Sequence, residues 1–184
     1  MELMTALCTS DPAVKRFIRE AACTLSNRLP GLGGAIVITA SEFMSHCYSH
    51  HAVVPEYRAV AFCGAEPLAC PRCVKREPGE VVAEIITALR DGFHEADRGA
   101  KLIAWNWSWS FYEPEPQTGI VKRLPRDITL MAGFERGGSK LIMGRRRPID
   151  EYSLSFAGPS DRFLGTCRAA RARGMRVMAK LQIG

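Results

Sequence analysis

The sequence predicts an α/β fold, and more narrowly part of a (β/α)8 TIM barrel with strands missing at both ends. Three observations carry this expectation. Short apolar runs rich in β-branched residues alternate with amphipathic helical stretches, the pattern of parallel strands joined by outer helices. No Gly-x-Gly-x-x-Gly follows the first apolar run, so of the two closures open to such a pattern, the dinucleotide-binding open sheet loses support. The 184 residues fall short of the roughly 250 of a whole barrel, and they end on a strand with no helix after it. Residues 1–184 are therefore expected to be a fragment of one barrel domain, with a long Cys- and His-containing loop over 43–77.

The elements follow in order. Ser10 or Asp11 can cap a first helix, with Pro12 in its first turn. Val14, Phe17, Ile18, Ala21 and Leu25 share one face of it, and Pro30-Gly31 ends it. Residues 35–40 form a continuous apolar run that reads as a buried parallel strand. The 43–77 loop is long enough to suggest a functional role. A second helix starts at Pro78 and carries Val81, Val82, Ile85, Ile86, Leu89 and Phe93 on one stripe. Lys101 to Trp105 is the next strand, a short helix is expected over 120–124, and residues 127–134 form a third strand. Residues 152–156 read as extended. Ser160 caps a last helix closed by Gly174, and 175–183 is the final strand.

Composition narrows the class. With 47% apolar residues the chain can bury a core, yet no run approaches the roughly 20 apolar residues of a membrane span. Residues 1–11 lack the basic and apolar regions of a signal peptide, so a soluble, cytoplasmic protein is the default expectation. The net charge is +6. Basic residues are scattered except for Arg145, Arg146 and Arg147, which read as a solvated loop or a contact for phosphate or an acidic partner. Nothing matches a nucleic-acid-binding motif, and no nucleic-acid partner is expected.

In a barrel, chemistry sits at the C-terminal ends of strands. Those ends carry Ser41-Glu42, then Trp105-Asn106-Trp107-Ser108-Trp109, then Glu135-Arg136, then Lys180 and Gln182. Paired carboxyl groups and flat indoles suit a site that cleaves sugars: one acid protonates the glycosidic oxygen and a second group stabilises the oxocarbenium-like centre. Glu42 and Glu135 are the catalytic candidates, and no cofactor is needed for that chemistry. Trp105, Trp107 and Trp109, on one side of a continued strand, would line the carbohydrate substrate, with His50 and His51 within reach of its hydroxyls. Each has a plainer reading. Glu42 can cap a helical turn, the tryptophans can be core, Glu135 can pair with Arg136 at the rim, and the histidines can be solvated.

Seven cysteines are too few and too scattered for a secreted disulfide scaffold. Cys70-Pro71-Arg72-Cys73 is nevertheless a C-x-x-C knuckle. Cys47, Cys63, Cys70 and Cys73, with His46 as a substitute ligand, would complete a structural zinc site that staples the loop. A disulfide, a redox pair and free thiols are the alternatives.

Ile38-Thr39-Ala40-Ser41-Glu42, His46-Cys47, Cys70-Pro71-Arg72-Cys73, the 105–109 segment, Tyr152-Ser153-Leu154-Ser155, Gly158-Pro159-Ser160 and Ala179-Lys180-Leu181-Gln182 together resemble uncharacterised bacterial glycoside-hydrolase-like barrel proteins. These are similar in outline to the β-N-acetylhexosaminidases of glycoside hydrolase families 20 and 123. Those families place an Asp-Glu pair after a barrel strand. The resemblance implies that Glu42 is the general acid, and that Ser41 stands where the Asp would orient the substrate's acetamido group. Serine lacks that charge, so Glu135 or a residue on a missing strand would have to supply it. The leading expectation is a glycoside hydrolase, or part of one, acting on a glycan that contains N-acetylhexosamine. A non-catalytic carbohydrate-binding barrel is second, and a metal-dependent hydrolase using His46, His50 or His51 is third.

Overall fold

The structure is a computed structural model that describes residues 6–40, 44–49, 51–58, 70–149 and 158–181. Helix α1 spans Pro12–Arg28, strand β1 Gly34–Ile38, helix α2 Pro78–Ala96, strand β2 Lys101–Trp105 and helix α3 Thr118–Arg123. Strand β3 spans Thr129–Gly133, β4 Ser139–Ile142, β5 Arg145–Pro148, helix α4 Asp161–Arg171 and strand β6 Arg176–Lys180. The extended segment expected at 152–156 lies outside the described residues.

Four strands form one parallel sheet in the order β1-β2-β3-β6. This corrects the barrel expectation: the fold is a small α/β arrangement, not an eight-stranded barrel, and among the described residues β1 and β6 are the edges of the sheet. Alternating helices and strands specify a parallel sheet, but not whether its first and last strands meet. That depends on pairing between distant segments, which periodicity does not encode. A second departure lies at 139–148. The arginine run belongs to β5, which pairs with β4 in an antiparallel hairpin of its own. Met143 and Gly144 connect the strands with φ of 49° and 75°. Two successive left-handed residues make the type I′ turn that suits the strand twist.

Local chemistry explains the helices. The Asp11 side chain accepts a hydrogen bond from the Ala13 N–H at 2.9 Å and caps α1. Ile18 and Ala22 are buried on α1, whereas Phe17 and Leu25 of the predicted stripe are 59% and 48% exposed. The face of α1 that meets α2 is thus rotated from the one the apolar pattern suggests. Gly92 sets that contact. A Cβ there would lie 2.2 Å from the Arg19 carbonyl oxygen and 2.8 Å from the Ala22 Cβ, so only glycine permits this approach. In α4, Ser160 caps the helix by accepting from the Phe163 N–H at 3.1 Å.

The sheet has two unlike faces. Leu102, Ala104, Leu130 and Ala132 point to one side and are buried. The first three share a core with Val81, Val82 and Ile86 of α2 and Ile120 of α3. Alternation sends Ile36, Ile38, Ile103, Trp105, Met131 and Met178 to the other side, where the parallel register aligns them. On that side Ile36 is 56% exposed and Ile38 50%. Parallel sheets are ordinarily covered on both faces. Here the second face is open at β1, whereas Met131 of β3 on the same side is buried.

Candidate metal centre and strand-end cleft

The first site forms where three loops meet. Cys8 comes from the turn before α1, Cys47 from the turns that follow β1, and Cys70 and Cys73 from the turn before α2. Each turn is held by its own backbone. The Asp11 N–H donates to the Cys8 carbonyl at 2.9 Å, and the Val74 N–H donates to the Cys70 carbonyl at 3.0 Å. Side chains lock the loops to one another. Arg72 pairs with Asp11 at 2.9 Å, and Arg76 donates to the Ser10 hydroxyl at 2.9 Å while pairing with Glu84 at 2.8 Å.

All four sulfurs lie within 4.8 Å of one another. The Cys8 Sγ is 3.6 Å from that of Cys70 and 3.7 Å from that of Cys73. Bonded disulfide sulfurs sit about 2.05 Å apart, so these are free thiols. A tetrahedral ion with metal–sulfur bonds of about 2.3 Å sets sulfur–sulfur edges of about 3.8 Å. The cluster therefore has the size and donor type to hold a metal ion. Burial opposes ionisation of the Cys70 thiol, but the Cys73 and Arg72 backbone N–H groups and the thiols of Cys8 and Cys47 bring it down to about 7. Burial pushes the Cys47 and Cys73 thiols up.

Three of the four ligands expected from the sequence meet here. Cys63 lies outside the described residues, and Cys8, which the sequence reading did not include, completes the group. Cys8 stands far from the C-x-x-C knuckle and shows no spacing signal of its own. His46 is not a substitute ligand among these four. Its ring is fully buried, its Nδ1 accepts from the Tyr48 N–H at 3.1 Å, and burial lowers it to about 4 against a backbone hydrogen bond at Thr39.

The second site is a cleft at the C-terminal edge of β2, β3 and β6. Trp105 ends β2 and Trp107 follows it, with ring centroids 5.1 Å apart and planes tilted by 51°. The Arg136 guanidinium lies over Trp107 at 5.3 Å, and the Lys180 ammonium over Trp105 at 5.5 Å. Glu135 is buried in the wall. Glu115 enters from the loop before α3, where its Oε1 pairs with the Arg162 Nε at 3.5 Å and its buried Oε2 has no hydrogen-bond partner. Burial raises the Glu115 carboxyl above its ordinary value, against the pull of the Gln117 side chain, then of Arg162 and Arg136. The free interior is small, about 30 Å³, room for one or two water molecules.

The remaining expected residues divide. Glu42 and His50 lie outside the described residues. His51 is half-buried, with its N–H donating to the Tyr48 carbonyl at 2.9 Å, and it does not line the cleft. Trp109 does not share a side with Trp105 and Trp107. Ser108 adopts a left-handed φ of 61°, which ends the strand alternation and turns Trp109 into the core. There it is fully buried, with its indole N–H donating to the Thr39 hydroxyl at 3.1 Å. Glu115 and Arg162 were missed because neither lies at a strand end. The only sequence signal was the Pro-rich loop around Glu115. Among the described residues no helix is long and apolar enough to cross a membrane. Comparison with protein-family models, curated proteins and solved structures finds no match to this chain.

Proposed function

We propose that this chain is a carbohydrate-active α/β domain with its glycan site at the C-terminal edge of the sheet and a structural zinc ion at the four cysteines. The observation that supports the glycan reading is the cleft itself. Two carboxyl groups, Glu115 and Glu135, and two indoles, Trp105 and Trp107, line one opening, where open parallel sheets bind their ligands. Hydrolysis of a glycosidic bond needs a proton donor beside a carboxylate. Glu115 suits the donor role because burial favours its neutral form. Glu135 is the second carboxyl group. Glu42 comes four residues after the Ile38 end of β1 and is the alternative donor. Zinc is the ion favoured by four thiolates, and with every position filled by protein it would hold the loops rather than take part in chemistry.

The test is release of aryl alcohol from a panel of aryl glycosides, N-acetylhexosaminides included. Glu115→Gln and Glu135→Gln should each lower turnover by at least about a hundredfold with the fold unchanged. Full activity in both variants, with loss in Glu42→Gln, would transfer the donor role to Glu42. No release from any glycoside by the wild type would remove the hydrolase reading.

A non-catalytic glycan-binding domain is the second reading. What favours it is that Arg136 and Lys180 already occupy faces of the two indoles, and that the interior is too small for a sugar ring as it stands. Glycan binding without hydrolysis, unchanged in Glu115→Gln, would select it.

A further inference from the structure

We infer that the floor of the strand-end cleft is an oxyanion site centred on Arg136, so that the ligand it takes carries a carboxylate, as in a uronic acid. This rests on the carbohydrate reading for the sugar and on the cleft alone for the anion. Arg136 follows β3 directly and is half-buried. Its guanidinium carbon lies over the Trp107 ring, 5.3 Å from the centroid, which holds the group at the cleft. Its Nε is buried and has no hydrogen-bond partner. Among the described residues no carboxylate lies within ion-pair distance of it: Arg162 takes Glu115, and no ion pair of Arg136 exists beside that one.

A buried guanidinium N–H with no acceptor is costly to desolvate, and the planar fork that carries it matches a carboxylate or phosphate. Among the described residues the cleft walls bring Arg136, Arg162 and Lys180 against Glu115 and Glu135, an excess of one positive charge. Burial of Glu115 toward its neutral form increases that excess. Size selects in the same direction. About 30 Å³ admits a planar anionic group while the ring that bears it stays outside.

Two sources share this chemistry, a sugar carboxylate and a free inorganic oxyanion, and the experiment separates them. Calorimetric titration of the full chain uses methyl β-glucuronide, methyl β-glucoside and inorganic phosphate. The glucuronide should bind about tenfold or more tightly than the glucoside, the strength of a hydrogen bond to a charged group. Arg136→Gln should abolish that preference, and Arg136→Lys, which keeps the charge and loses the fork, should retain part of it. An unchanged melting temperature separates loss of the site from loss of the fold, and the Lys variant serves where Gln lowers it. Phosphate binding that depends on Arg136, with neither glycoside bound, keeps the anion site and removes the carbohydrate reading. Equal binding of the two glycosides does the reverse. No binding of glucuronide or phosphate, or a preference that survives Arg136→Gln, overturns the site.

Discussion

The thiol centre and the strand-end cleft gather reactive side chains by opposite means. The cleft is built on strand ends, with Glu115 added from the loop before α3 and Arg162 from α4. Its backbone is already fixed by the sheet, and its polar groups are held apart by burial and by ring contacts. The thiol centre is built on turns that belong to no sheet. Four sulfurs meet there because Arg72 ties the Cys8 turn to the Cys70–Cys73 turn through Asp11, and the Tyr48 hydroxyl ties the Cys47 turn to it by donating to the Cys73 and Arg76 carbonyls. Removing a cleft residue should therefore change ligand chemistry and leave the fold standing. Removing a thiol should change the fold. The lesson is that two clusters of reactive side chains in one chain can rest on different supports, one on the sheet and one on turns tied by side chains.

The largest expected effect breaks the thiol centre. Cys73→Ser, or stripping the metal with a chelator, should lower the melting temperature by on the order of 10 °C. Cys23→Ser, outside the cluster, should leave it unchanged. Mass spectrometry under native conditions should find one metal ion per wild-type chain and none in Cys73→Ser. An intact melting temperature in the metal-free protein would defeat the structural role.

Next comes the helix layer that supports both sites. Gly92→Ala gains roughly 1 kcal/mol in helix propensity. The added Cβ, however, meets the Arg19 backbone oxygen at 2.2 Å, and backbone cannot rotate away. The clash should win, leaving a net loss of about 1–3 kcal/mol in denaturant unfolding.

The smallest effect sharpens the contrast at the cleft. The Glu115 carboxyl is raised in the folded state, so the folded chain binds its proton more tightly than the unfolded chain. Stability is then lost as pH rises above the ordinary carboxylate value of 4.5 toward the folded one. Glu115→Gln removes that loss. Chemical denaturation should show the variant matching the wild type below pH 4.5 and exceeding it slightly near neutrality. A variant less stable at neutral pH would mean that the carboxylate form is held by the fold.

What was legible in the sequence was local. Pro12, Pro78 and Ser160 marked helix starts that the structure keeps, and the β-branched runs gave the parallel strands within a few residues. What failed was anything that depends on distant pairing. Strand–helix alternation is equally consistent with open and closed sheets. The hairpin at 139–148 was hidden because three successive arginines carry no apolar alternation, and because its turn is Met-Gly rather than the stronger Asn-Gly signal. The tryptophan series failed at one residue, Ser108, whose left-handed backbone redirects Trp109. The knuckle at Cys70 and Cys73 announced itself through spacing, whereas Cys8 could be found only by folding the chain.

The order in which the thiol ligands occur along the chain bears on synthesis. All four lie between Cys8 and Cys73, ahead of α2 and of three of the four strands of the parallel sheet. A ribosome makes the whole ligand set before it makes β2. An ion captured as Cys73 emerges would join residues 62 apart in sequence before β3 and β6 are made. The emerging chain would carry a closed loop from the start, and the sheet would grow onto an N-terminal segment whose ends are already tied.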